Sequence, residues 1–146
     1  MDRIIIYIVL FTILTISMYT DWKYKKIFNY VTYPGILLGF VLNFGFYGVD
    51  GIKSCCFSVA VAFGFFILFY MIKMIGAGDV KLILAIAALT NVFYTFAGLI
   101  IGSLLASIYG IYIWMRTKDK KARIPYGIFI GIGFYLYQIL CIVTGY

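Results

Sequence analysis

Gly76-Ala77-Gly78-Asp79-Val80-Lys81-Leu82 sets a carboxylate between two stretches that otherwise read as membrane spans. An acid beside a bilayer core is costly and marks a candidate functional site. Glycine on both sides of Ala77 permits close backbone approaches that larger residues block. Irregular backbone at this depth is tolerated only where it is buried in protein or lines a wet cavity. The stretch therefore predicts a short span that opens on a water-accessible notch.

The rest of the chain supports a bilayer setting. It is 65% hydrophobic, with a mean hydropathy of +1.08, which excludes an ordinary soluble domain. The 146 residues hold about six spans of roughly 20 residues with short connections. The expected spans are 4–20, 30–47, 54–72, 77–91, 93–115 and 124–144. The expected fold is all-α and polytopic, with 1–146 as a single membrane-embedded domain. The first apolar segment has only Arg3 as a basic flank, and no small-x-small site precedes Asp21. It reads as a retained helix rather than a signal peptide.

The net charge of +7 invites a nucleic-acid reading, but its distribution argues against one. Lys23, Lys25 and Lys26 follow the first span, and Lys73 and Lys81 bracket the third connection. Arg116, Lys118, Lys120, Lys121 and Arg123 fill the fifth connection, leaving Arg3 and Lys53 alone on the other side. The positive-inside rule then puts 21–29, 73–81 and 116–123 in the cytoplasm and both termini outside. A multi-pass protein of the plasma membrane follows, with the bilayer as partner and no nucleic acid. Attraction of anionic lipid or an acidic partner is a secondary role for the charge.

Other features refine this picture. Cys55, Cys56 and Cys141 form no CxxC, and the chain has no His. No metal and no cofactor are expected. Tyr19, Trp22, Tyr24, Tyr30, Tyr33 and Trp114 cluster near the expected inner face, and Phe46 and Tyr47 near the outer, as in aromatic belts. Small residues recur at helical spacing: Gly98, Gly102, Ala106 and Gly110; Gly35 and Gly39; Gly127 and Gly131. Such stripes let helices approach closely. Packing within one chain is the expectation, and a homo-oligomer stays open.

The acids are few: Asp2, Asp21, Asp50, Asp79 and Asp119, with no Glu. Asp21 closes the first span and Asp79 begins the fourth, so topology brings both to one face at one depth. Two close carboxylates do not both ionise readily, so one holds a proton. The ionised one deprotonates a water, and the protonated one donates to a scissile carbonyl. A structural alternative stands beside this. Asp21 also reads as a solvated helix end pairing with Lys25, and Asp79 as a partner of Lys81 or Lys73. Asp2, Asp50 and Asp119 read as ordinary loop or terminal acids.

Three motifs carry a resemblance. Asp21-Trp22-Lys23-Tyr24-Lys25-Lys26-Ile27-Phe28-Asn29-Tyr30-Val31-Thr32-Tyr33-Pro34 resembles the first aspartate motif of type IV prepilin peptidases. Gly76-Ala77-Gly78-Asp79-Val80-Lys81-Leu82 is similar to their GxGD motif with its Lys. Ile124-Pro125-Tyr126-Gly127 resembles the Pro-aromatic-Gly that opens their last span. The resemblance implies an aspartyl endopeptidase with Asp21 and Asp79 as its catalytic pair, cutting at the cytoplasmic face. It implies prepilin-like substrates with a short basic leader and a hydrophobic helix. Gly76, Gly78, Lys81, Asn29, Thr32 and Pro34 take site-shaping roles.

Two departures are visible. The cytoplasmic CxxC domain of the large bifunctional members is missing, which puts N-methylation in doubt. Ile128 stands where the larger enzymes have Pro. Both features look like the small Tad-type peptidases, with archaeal preflagellin peptidases as more distant relatives. The rival class is a small ion-coupled transporter, which also uses intramembrane acids and glycine-broken helices. A carrier wants its acids near the midplane, whereas both acids here fall at one interface.

Overall fold

A computed structural model describes residues 2–117 and 126–144. Five α-helices follow in order: α1 Asp2–Tyr24, α2 Asn29–Met71, α3 Ala77–Leu89, α4 Val92–Thr117 and α5 Tyr126–Thr144. The expectations on Lys118, Asp119, Lys120, Lys121, Arg123, Ile124 and Pro125 lie outside the described residues.

The all-helical expectation holds, but the division into six spans is redrawn. Residues 30–47 and 54–72 belong to one element, α2, and the expected connection between them is itself helical. A straight helix of 43 residues would run about 65 Å. Instead α2 breaks at Gly48, with φ 61° and ψ −141°, a backbone region in effect reserved for glycine. The chain reverses there. Asn43 Nδ2 and Cys55 Sγ, on opposite sides of the break, both donate to Ala88 O, at 2.9 and 3.3 Å. A Cβ on Gly51 would fall 2.1 Å from Asn43 O, so only glycine lets the two limbs come this close.

Three helices among the described residues are long and apolar enough to cross a membrane: Ile4–Tyr24, Asn29–Met71 and Val92–Arg116. α3 is not among them. Its 13 residues rise about 20 Å, against roughly 30 Å of hydrocarbon. It is short because Gly76 starts it late and the Thr90-Asn91 turn stops it. Thr90 Oγ1 donates to Ile86 O at 2.7 Å, and Asn91 Oδ1 caps α4 by accepting the Tyr94 N–H at 2.8 Å. An Asn in this place satisfies a donor that a helix start otherwise leaves open.

α3 forms the centre of the bundle. Leu82, Ile83, Ala85, Ile86, Ala87 and Ala88 have no exposed surface, as expected of a helix that is apolar all round. α1 covers it with Leu10, Ile13 and Leu14, α2 with Val31 and Phe66, and α5 with Ile130 and Phe134. The small-residue stripes pack helices within the chain. A Cβ on Gly39 would meet Ala88 at 2.7 Å, one on Gly98 the Phe134 ring at 2.5 Å, and one on Gly102 the Phe129 carbonyl at 2.6 Å.

Candidate active site

A cleft of about 940 Å³ opens at one end of the bundle, and both Asp21 and Asp79 line it. A second cavity, of about 380 Å³, lies at the other end, with Tyr7, Asn43, Gly51, Asn91 and Tyr94 in its wall. Each helical segment that lines both runs from one to the other. α1 leads from Tyr7 to Asp21, the first limb of α2 from Asn29 to Asn43, the second from Gly51 back to Tyr70, and α4 from Asn91 to Ser107. These segments therefore alternate in direction between the two ends of the bundle.

Asp21 lies in the last turn of α1 and is only 6% exposed. Its backbone carbonyl accepts the Lys25 N–H at 2.9 Å. Above its carboxylate lies Gly127 of α5, where a Cβ would sit 2.9 Å from Asp21 Oδ2 and 2.9 Å from Ile27 Cδ1. The carboxylate thus occupies space that any other residue at 127 would claim.

Asp79 is half-buried in the first turn of α3. Its Oδ2 accepts the Gly76 N–H at 3.3 Å, which closes the helix start. The helix N-terminus favours negative charge at this place. Gly78 packs on Ile27, where a Cβ would lie 3.2 Å from both the Cβ and the carbonyl of that residue. Ile27 therefore touches Gly78 on one side and Gly127 on the other, and through it the segments carrying the two acids are held together.

The other residues singled out from sequence surround this arrangement. Lys81 Nζ donates to Asn29 Oδ1 at 2.9 Å and lies 4.9 Å from the Tyr33 ring centroid. Its ammonium is thus engaged with the start of α2, a different partner from the Asp79 carboxylate expected in the structural alternative. Asn29 lines the cleft, and Lys81 is joined to it through this bond. Thr32 is buried, and its Oγ1 donates to Asn29 O at 3.4 Å. Pro34 lies within α2 without breaking its helical torsions. Asp50 sits at the other end, paired with Lys53 at 3.2 Å.

Sequence reasoning gave neither Ile27 nor Gly127 a place in the site. The signal for Gly127 was its presence in the Pro-aromatic-Gly motif. The signal for Ile27 was its place in the first aspartate motif, two residues before Asn29. Tyr126, the aromatic of the Pro-aromatic-Gly motif, was likewise given no role; it lines the cleft and bonds Ser103 Oγ through its hydroxyl at 2.6 Å.

A bundle of apolar helices with two carboxylates lining one end cleft has the character of a membrane protein. Residues 8–111 match the model of the type IV leader peptidase family, and the chain belongs to that family, which is one of proteases. The match includes Asp21 and Asp79 and ends before Gly127. No curated protein and no solved structure matches this chain.

Proposed function

We propose that this protein is a membrane aspartyl endopeptidase that removes the leader from type IV prepilin-like substrates at the cytoplasmic face. The observation that carries the reading is that Asp21, from α1, and Asp79, from α3, line one cleft. Family membership supports it. Both acids at one end of the bundle favour a peptidase over a carrier, which needs access from two sides.

The chemistry is that of two carboxylates sharing a proton. The ionised one accepts a proton from water as the water oxygen attacks the scissile carbonyl. The protonated one donates to the carbonyl oxygen, giving a neutral tetrahedral diol. Collapse of the diol breaks the C–N bond as a proton passes to the leaving amine. The products are a leader ending in a carboxylate and a pilin with a new amino terminus. Gly76 and Gly78 allow the loop to approach, and Asn29, Thr32, Pro34 and Lys81 shape the entry of α2. We read six passes, with α2 contributing two, α3 a short one enclosed by the other helices, and both termini outside.

The test is leader cleavage of a co-expressed prepilin-like substrate. Asp21→Asn and Asp79→Asn should each abolish it at equal membrane levels, because either half alone cannot supply both acid and base. Asp50→Asn should stay within a few-fold of wild type. Near-normal cleavage by either of the first two variants would sink the paired-acid mechanism.

A further inference from the structure

Two lysines at the cleft are held where glycine is usually found. Among the described residues, Lys25 and Lys73 are the non-glycine positions with positive φ, at 51° and 59°. Lys25 is the first residue beyond α1, and Lys73 the second beyond α2. The Lys25 N–H donates to Asp21 O at 2.9 Å, which closes α1. The Lys73 N–H donates to Tyr70 O at 2.9 Å and the Met74 N–H to Phe69 O at 3.0 Å, which closes α2. These are left-handed C-terminal closures, in which a Cβ is penalised and glycine is not. The fold alone would be served better by glycine at both positions.

Both lysines line the same cleft, together with Lys26. All three are exposed, and none forms an ion pair with a carboxylate among the described residues. Strained backbone gathers at functional sites, and what these two positions share is a cation at the cleft mouth. Their sequence neighbours are apolar and exposed: Trp22 at 74%, Ile72 at 64% and Met74 at 68%. Cations collared by exposed aromatic and aliphatic groups are the pattern of headgroup depth.

We propose that Lys25, Lys26 and Lys73 bind the phosphate of an anionic phospholipid headgroup at the mouth of the cleft, and that this lipid completes the working site. The lipid contact stands on geometry alone. Its effect on cleavage rests on the leader-peptidase reading: a basic leader approaching three cations is repelled, and a seated phosphate removes the repulsion. An acidic side chain of the substrate is the competing occupant. The apolar collar favours lipid, because a soluble peptide carboxylate has no use for it.

The experiment compares wild type with K25G/K73G in nanodiscs of phosphatidylcholine with and without phosphatidylglycerol. Lipid retained on the protein, thermal unfolding and leader cleavage are measured. Wild type should retain phosphatidylglycerol, unfold at a higher temperature with it, and cleave faster. K25G/K73G should be at least as stable as wild type in phosphatidylcholine, since glycine suits both backbones. It should hold phosphatidylglycerol more weakly by about fivefold per lysine removed. An unchanged phosphatidylglycerol response in K25G/K73G would overturn the proposal, as would full replacement of the lipid effect by soluble glycerol phosphate. Cleavage lost equally in both lipids, with retention unchanged, would assign the lysines to an acidic group on the substrate. If wild type retains the lipid but cleaves nothing, the lipid site stands and the peptidase reading fails.

Discussion

Gly127 is a residue whose importance lies in what it leaves empty. Its missing Cβ is replaced by Asp21 Oδ2 and Ile27 Cδ1, both 2.9 Å from where that atom would be. Gly127→Ala should therefore push the carboxylate out of line and cut cleavage by about 100-fold, the scale of a misplacement near 1 Å. The same change at Gly64, which has open space around it, should leave cleavage intact and stabilise its helix by up to about 1 kcal/mol. Cleavage and unfolding of both variants, at matched membrane levels, decide the matter; equal cleavage would remove Gly127 from the site. Lys81 and Asn29 allow a second test. They share one hydrogen bond, so Lys81→Met and Asn29→Ala should damage cleavage to similar degrees, and the double variant little more than either. Additive losses would mean the two act separately. Both acids and the Gly-Ala-Gly run were legible in sequence because an acid in an apolar context is conspicuous. The role of Ile27 was not, because its place in the motif between Lys26 and Phe28 does not say that it packs on both Gly78 and Gly127.

The element least legible in sequence was α2. Gly48-Val49-Asp50-Gly51 reads as a loop because two glycines and an acid usually make one. The chain instead stays helical on both sides and turns at a single residue, since Gly48 absorbs the reversal with φ 61° and ψ −141°. Asn43 then seals the turn by donating to both Gly39 O and Ala88 O. Gly48→Ala should destabilise the protein by about 1–3 kcal/mol, the cost of a side chain in such a backbone region. Gly45→Ala, three residues earlier and facing open space, should be neutral or mildly stabilising. Unfolding in mild detergent separates them, and equal stability would mean the break tolerates a side chain. The small-residue stripes were legible as packing faces, but their partners were not: spacing fixes a face of a helix, while the facing side chain comes from the tertiary arrangement.

At the scale of the whole molecule, charge segregation and the bundle give the same ordering. Lys25, Lys26 and Lys73 line the end that holds the two acids, while Asp50 lines the opposite cavity and pairs with Lys53. This ordering was readable because basic residues collect in connections on one side, a pattern imposed by membrane insertion rather than by folding. The cleft itself was not readable, since its walls come from all five helices. The prediction that follows concerns sidedness. In a background where Cys55, Cys56 and Cys141 are replaced by Ala, Lys53→Cys should react with a membrane-impermeant thiol reagent added to intact cells. Lys26→Cys and Lys73→Cys should react only after the membrane is opened. Lys53 is well exposed in the structure, its side chain 73% accessible, so a failure to label it from outside is informative rather than a matter of burial. Labelling of positions 26 and 53 from the same side would break the link between the alternating helices and the bilayer. It would then place the two aspartates away from the face where a leader peptide made in the cytoplasm arrives.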